Sequence, residues 1–242
     1  MSGNDAEAVT GNGRELGNAG NASSAGTVRN VGPVGNASPG GRRLGVMGGT
    51  FDPIHYGHLV TAEAAAEEFG LEQVIFVPAG QPPHKPLGAV SEARHRYLMT
   101  VLATVPNPRF TVSRVDINRP GPSYTVDTLR ELHRRFDPAT ELYFITGADA
   151  MLQILQWKDA ESLFALCHFI AATRPGFRLE RLQTVLGPVA ERYRERIHPL
   201  QVPALAISST DIRRRVREGR SVRYLLPDAV MHYILKSGLY SG

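Results

Sequence analysis

Gly48-Gly49-Thr50-Phe51-Asp52-Pro53-Ile54-His55-Tyr56-Gly57-His58 is the stretch whose reading decides the fold. It follows a short apolar run, Leu44 to Met47, and leads into an alanine-rich segment, His58 to Phe69, closed by Gly70. That order reads as strand, glycine turn and helix. Glycines remove side chains where an anion must approach the backbone. The helix that follows offers unpaired N–H groups and a positive dipole end. His55 and His58 lie three apart, so both can face one anion, and Gly57 leaves room for a nucleotide. A tight turn with two surface histidines is the plain alternative. Zinc held by the two histidines is another, but it needs further ligands that the neighbouring sequence does not offer.

Working outward, strand and helix patterns alternate. Val74 to Val77 is a continuous apolar run ended by Pro78, as suits a strand buried on both faces. Residues 91–105 read as a helix and Phe110 to Ile117 as an alternating strand. Thr125 to Phe136 carries Val126, Leu129, Leu132 and Phe136 at helical spacing. Leu142 to Thr146 and Phe169 to Ala172 read as strands, with helices over Asp149 to Gln156 and Asp159 to Leu166 between them. Thr210 to Glu218 and Pro227 to Lys236 close the chain as helices. Alternation of this kind predicts an α/β domain with a mainly parallel sheet and helices on both faces. Ligands then bind beyond the carboxyl ends of the strands.

Residues 1–41 differ from all that follows. They are mostly Gly, Asn, Ala and Ser, with one leucine and no aromatic residue. Such a segment buries too little apolar surface to offset its conformational entropy, so it reads as a disordered extension, with the domain proper over 42–242. A flexible arm and a start codon placed too far upstream suit this composition equally.

Composition narrows the class. The 242 residues are 42% hydrophobic, enough for a sizeable core. No apolar run reaches the length of a membrane span, and no basic-then-apolar leader is visible, so a soluble cytoplasmic protein without membrane partners is expected. Cys167 is the single cysteine, which excludes an internal disulfide and any multi-thiolate zinc site; its neighbours suggest a plain buried thiol. The net charge of +4 is carried mainly by arginine, which favours an anionic partner. A basic nucleic-acid-binding module is one reading of that charge. It calls for clustered basic residues with interleaved aromatics, and none is seen. The run Arg213-Arg214-Arg215 with Arg217 spreads around a helix; only Arg213 and Arg217 share a face, and the rest read as solvated.

The first turn, extended to Leu59, resembles the signature of the nucleotidylyltransferase superfamily. A second superfamily element, a Ser/Thr-rich turn opening a late helix, appears as Ile207-Ser208-Ser209-Thr210-Asp211-Ile212-Arg213. Between them, Pro82-Pro83-His84-Lys85, Gly121-Pro122-Ser123-Tyr124-Thr125, Gly147-Ala148-Asp149, Trp157, Arg174-Pro175-Gly176 and Leu225-Leu226-Pro227 resemble bacterial nicotinate-nucleotide adenylyltransferases. The resemblance covers residues 43 to 240 and implies a Rossmann-like nucleotidylyltransferase fold. Pantetheine-phosphate adenylyltransferase and cytidylyltransferases share the first motif but lack the Ser-Tyr-Thr and Gly-Ala-Asp…Trp context.

The resemblance implies transfer of the adenylyl group of ATP to nicotinate mononucleotide. It implies that Gly48, Gly49, Thr50 and Phe51 line the ATP phosphates, with His55 and His58 hydrogen-bonded to them. Ser208, Ser209 and Thr210 would receive the β- and γ-phosphates, and Arg213 would add charge. Helix capping is compatible with that role for the hydroxyls. Gly147 and Asp149 would meet the adenosine ribose, though Asp149 could merely cap a helix. Lys85 and Arg174 are candidates for the mononucleotide phosphate or the pyrophosphate, against ordinary surface charge. Tyr124, Thr125 and Trp157 would take the mononucleotide, with Trp157 against the pyridine ring; by itself a lone tryptophan reads as core. The expected metal is Mg²⁺ carried by the ATP phosphates, with no protein ligands, and a homo-oligomer is possible.

Overall fold

Leu44 and Val46 point to one side of the first strand and Gly45 and Met47 to the other, and both sides are covered. This double burial recurs along the sheet. The computed structural model describes residues 41–86, 88–173, 184–203 and 205–241. Six strands are described: β1 (Arg43–Gly49), β2 (Gln73–Pro78), β3 (Phe110–Val112), β4 (Glu141–Gly147), β5 (His168–Thr173) and β6 (Ile197–Gln201). They form one sheet in the order β3-β2-β1-β4-β5-β6, and every pairing is parallel. The helices are α1 (Tyr56–Glu68), α2 (Ala93–Thr104), α3 (Val115–Asn118), α4 (Thr125–Arg135), α5 (Ala148–Met151), α6 (Ala160–Leu166), α7 (Pro188–Arg192), α8 (Ser209–Arg217) and α9 (Asp228–Lys236).

Two apolar layers flank the sheet. One packs Met47, Phe76 and Ile145 against Ala62 and Ala65 of α1, Met99 of α2, Ile212 of α8 and Ile234 of α9. The other packs Val46, Val77 and Phe144 against Val126 and Leu129 of α4, Met151 of α5 and Phe164 of α6. The expected α/β architecture with helices on both faces is therefore what forms. The strand order reverses between β1 and β4, which opens a crevice at their carboxyl ends.

Three local readings need correction. The strand expected from Phe110 to Ile117 ends at Val112, its last rung being the Ser113 N–H to the Phe76 carbonyl, and Val115–Asn118 turns helical where Ser113 Oγ accepts the Val115 N–H. The helix expected over Asp149 to Gln156 is two pieces, α5 and a 3₁₀ turn at Ile154–Gln156. The edge strand β6 and the short helix α7 were not anticipated. Except for Gly41, the proposed extension over 1–41 falls outside the described residues. Among those residues no helix is long and apolar enough to cross a membrane. Cys167 is buried and burial pushes its thiol up, in keeping with a packing role.

Candidate active site

The first turn and the late Ser/Thr turn meet, although about 150 residues separate them. Ser209 Oγ donates to the Pro53 carbonyl at 2.8 Å, and Arg213 Nη1 donates to the Asp52 carbonyl at 2.7 Å. Ser208 is the N-cap of α8, its hydroxyl accepting the Asp211 N–H at 3.2 Å. Thr210 Oγ1 lies 3.4 Å from Arg213 Nη2. The capping expected of Ser208 is thus present, and the N-termini of α1 and α8 converge on the end of β1. Arg214, exposed as expected, and the half-buried Arg215 pair with Asp211 on their own helix.

His55 and His58 do face the same way, with ring centroids 3.8 Å apart. The His55 N–H donates to His58 Nδ1 at 3.2 Å. With Nδ1 accepting, the proton of a neutral His58 ring sits on Nε2. Burial lowers the pKa of His55 to about 4; burial, then the neighbouring His55, lowers that of His58 to about 3. Both rings are therefore neutral at pH 7. His55 Nδ1 is buried without a hydrogen-bond partner.

The space above two glycines is filled by the turn's own rings. A Cβ on Gly49 would stand 2.9 Å from the Phe51 ring, and one on Gly57 would stand 3.0 Å from the His55 ring. These glycines admit those rings, which refines the expectation that they simply clear room for a nucleotide. Phe51 is 2% exposed and packs edge-on to His58 at 5.1 Å, so only its backbone can meet a phosphate. Its φ of 49 lies in the left-handed region, where a bulky residue stays only when its surroundings hold it.

Beside this turn, at the carboxyl ends of β1, β2 and β4, lies a cleft of about 640 Å³. Gly48, Gly49, Thr50, Lys85, Tyr124, Thr125 and Trp157 all line it. Thr125 opens α4, whose N-terminus carries no side-chain cap. Trp157 packs edge-on against Phe144 at 6.0 Å while one side faces the cleft, so packing and lining coexist. Lys85 is largely exposed, and partial desolvation, then the charge of Arg213, lowers its pKa. Gly147 and Asp149 stand exposed where β4 passes into α5, outside the cleft lining. Arg174 lies outside the described residues.

The sequence reading missed several residues here. Lys158 lines the cleft, pairs with Asp127 at 2.9 Å and sits 4.6 Å over the Tyr124 ring. Asp116 is buried in the wall, where its carboxylate accepts from Arg119 and from the Thr128 hydroxyl, each at 2.7 Å. Ser123 Oγ accepts the Gly80 N–H at 2.9 Å, fastening the loop after β2. Arg96 is fully buried in α2. Its position offered a signal, since it shares a helical face with Met99 and Ala103 and so places a charge on an apolar stripe.

The neutral imidazoles predict acid sensitivity. In the unfolded chain both histidines titrate near 6.5, in the native state near 4 and 3. Below pH 6.5 the unfolded chain binds protons that the native state refuses. Stability is therefore lost as pH falls from 6.5 toward about 3, by up to about 1.4 kcal/mol per pH unit for each ring. Urea midpoints at pH 7, 6 and 5 should fall in that order; a flat profile would contradict the buried neutral state.

Comparison with known proteins agrees with this architecture. The cytidylyltransferase-like family matches residues 46–215. A probable nicotinate-nucleotide adenylyltransferase of Moorella thermoacetica is 61% identical over 198 residues, 82% of this chain and 91% of that protein. One of the same description from Arthrobacter sp. is 57% identical over 196 residues, 81% of this chain and 90% of its own. Among solved structures, a Plasmodium falciparum nicotinic acid mononucleotide adenylyltransferase complexed with NaAD superposes with a TM-score of 0.67 at 21% identity, covering 82% of this chain and 97% of its own, which shows the shared fold.

Proposed function

Since the chain belongs to the cytidylyltransferase-like family, and within it to the nicotinate-nucleotide adenylyltransferases, we propose that it joins nicotinate mononucleotide to ATP, giving nicotinate adenine dinucleotide and pyrophosphate. The observation that carries this reading is the meeting of two helix N-termini and two neutral imidazoles at the end of β1, beside a cleft lined by Thr125 and Trp157.

The reaction makes few demands on proton transfer. A phosphate oxygen of the mononucleotide, ionised at neutral pH, attacks the α-phosphorus of ATP. The new P–O bond forms as the bond from that phosphorus to the bridging oxygen breaks, and pyrophosphate departs with the electron pair. No general base is required. What lowers the barrier is alignment and stabilisation of the charge that moves onto oxygen. His58 donates from Nε2 to the transferring phosphate, and His55 supports its orientation through the backbone N–H. The backbone of Gly48 to Phe51 and the start of α8, with Ser208, Ser209, Thr210 and Arg213, receive the remaining phosphate charge. ATP arrives with Mg²⁺ on its phosphates. Gly147 and Asp149 meet the adenosine ribose across the crevice. Tyr124, Thr125 and Trp157 hold the pyridine, and Lys85, at the junction of the two halves, meets the phosphates; Arg174 is a further candidate for that contact.

Incubation with ATP, Mg²⁺ and each pyridine mononucleotide, followed by mass analysis, tests the assignment. The dinucleotide and pyrophosphate should form together; absence of both would sink it.

Residues 1–41 are proposed to be dispensable for turnover, since their composition offers little apolar surface. Deleting them should leave turnover and Tm nearly unchanged, and a large loss of either would refute this.

A further inference from the structure

Beneath the candidate site lies a buried group that the reaction does not itself use. Arg96 is 1% exposed, and its guanidinium donates to three main-chain carbonyls: Ser91 at 2.8 Å, Thr50 at 2.9 Å and Gly80 at 3.0 Å. Thr50 belongs to the glycine turn, and Gly80 begins the loop that carries Lys85 along the cleft. One planar fork therefore ties the turn assigned to the ATP phosphates to the loop beside the mononucleotide.

Asp52, 2% exposed, balances this cation. Its Oδ2 accepts the Ser91 N–H at 3.3 Å, so the Ser91 peptide is held at both ends, by Asp52 and by Arg96. Its Oδ1 accepts the hydroxyl of Tyr240 at 2.7 Å, and its main-chain carbonyl accepts Arg213. Tyr240 stands two residues from the end of the chain, at a φ of 65. Two non-glycine residues in the left-handed region, Phe51 and Tyr240, flank Asp52, one in sequence and one in space. Conformations of that kind persist where the surroundings over-determine them. Burial and the Asp52 charge push the Tyr240 hydroxyl up, so it stays protonated and keeps its donor for Asp52.

We propose that Arg96, Asp52 and Tyr240 form a positioning clamp that fixes the phosphate turn and the mononucleotide loop in one relative geometry. The inference rests on the reading of the site as one for adenylyl transfer. None of the three touches the reacting atoms. They act through Thr50, Gly80 and Arg213, and a misplacement of about 1 Å between two substrates costs on the order of a hundredfold in rate. Each half-site keeps its own contacts when the clamp loosens, so binding of either substrate alone changes little while turnover falls.

The test uses the full-length protein with Tyr240→Phe, which removes one hydroxyl, and Arg96→Lys, which keeps the charge but not the three-way fork. Trp157 is the sole tryptophan and lines the cleft, so its fluorescence reports mononucleotide binding without turnover. ATP binding is read by calorimetry. The expected result is a kcat about tenfold lower for Tyr240→Phe and about a hundredfold lower for Arg96→Lys, with both affinities within about threefold of wild type. Full kcat at 20 °C in folded variants with lowered Tm would make the clamp a stability element and overturn the proposal. A rise in one KM at unchanged kcat would overturn it too, assigning the residue to a single substrate. If Arg96→Lys does not fold, Tyr240→Phe decides the matter. Absence of product from the wild type would instead be the failure of the underlying reading, and the clamp would go with it.

Discussion

His58→Ala should lower kcat by on the order of a hundredfold or more while leaving the fold intact, as loss of one preorganised donor does. The size follows from the state of the ring. His58 is neutral, and its Nδ1 is engaged by the His55 N–H, so a single N–H remains and its direction is fixed by the helix start. Water entering the vacated space can donate a hydrogen bond but brings no fixed orientation. The substitution removes an edge-on contact with Phe51 and the acceptor of the His55 N–H at the start of α1, a loss of about 0.5–2 kcal/mol. Circular dichroism should therefore stay near wild type and Tm fall by a few degrees while turnover collapses. Near-normal turnover in a folded His58→Ala protein would remove this ring from the mechanism.

The second large effect concerns the acceptor. Nicotinate and nicotinamide mononucleotides have nearly the same shape, but one ends in a carboxylate and the other in an amide that also donates. The N-terminus of α4 presents free N–H groups and a positive dipole end, with the Thr125 hydroxyl beside them. Asp127 in the same first turn would oppose an anion, yet Lys158 neutralises it at 2.9 Å. A wall of donors suits the carboxylate and faces the amide NH₂ with a clash. Charge-assisted hydrogen bonds contribute about 1.5–3 kcal/mol each, so preference for nicotinate should reach about two orders of magnitude in kcat/KM. Thr125→Val should weaken it. Competition of both mononucleotides in one tube measures the ratio, and equal consumption would move the carboxylate site elsewhere.

What the sequence made legible was whatever is local. The strand–turn–helix unit at Gly48 to Phe69 and the Ser208 cap are written in neighbouring residues, and they formed as read. So did the buried strands β2 and β4, whose apolar runs are continuous. The edge strand β6 escaped because Ile-His-Pro-Leu-Gln has no such run and carries Pro199, tolerated only where one side of the strand is unpaired. Beyond Val112 the alternating pattern gives way to a turn in which Ser113 Oγ accepts the Val115 N–H, a bond that no periodicity encodes. At the site, Tyr124, Thr125 and Trp157, which the motifs offered for the mononucleotide, line one cleft. Arg96 left a signal as a charge on an apolar stripe, but its partners and those of Lys158 and Asp52 were not legible, because they are main-chain carbonyls, an aromatic face and a hydroxyl 188 residues away.

That last distance has a consequence for how the molecule is made. Synthesis runs from the amino end, so β1 and its glycine turn leave the ribosome long before α8 and Tyr240. The central strands can pair early, but Pro53 and Asp52 must wait for Ser209, Arg213 and Tyr240. Contacts of such large sequence separation form late because their loop-closure entropy must be met first. A nascent chain therefore carries paired central strands before the contacts around Asp52 and Pro53 are complete.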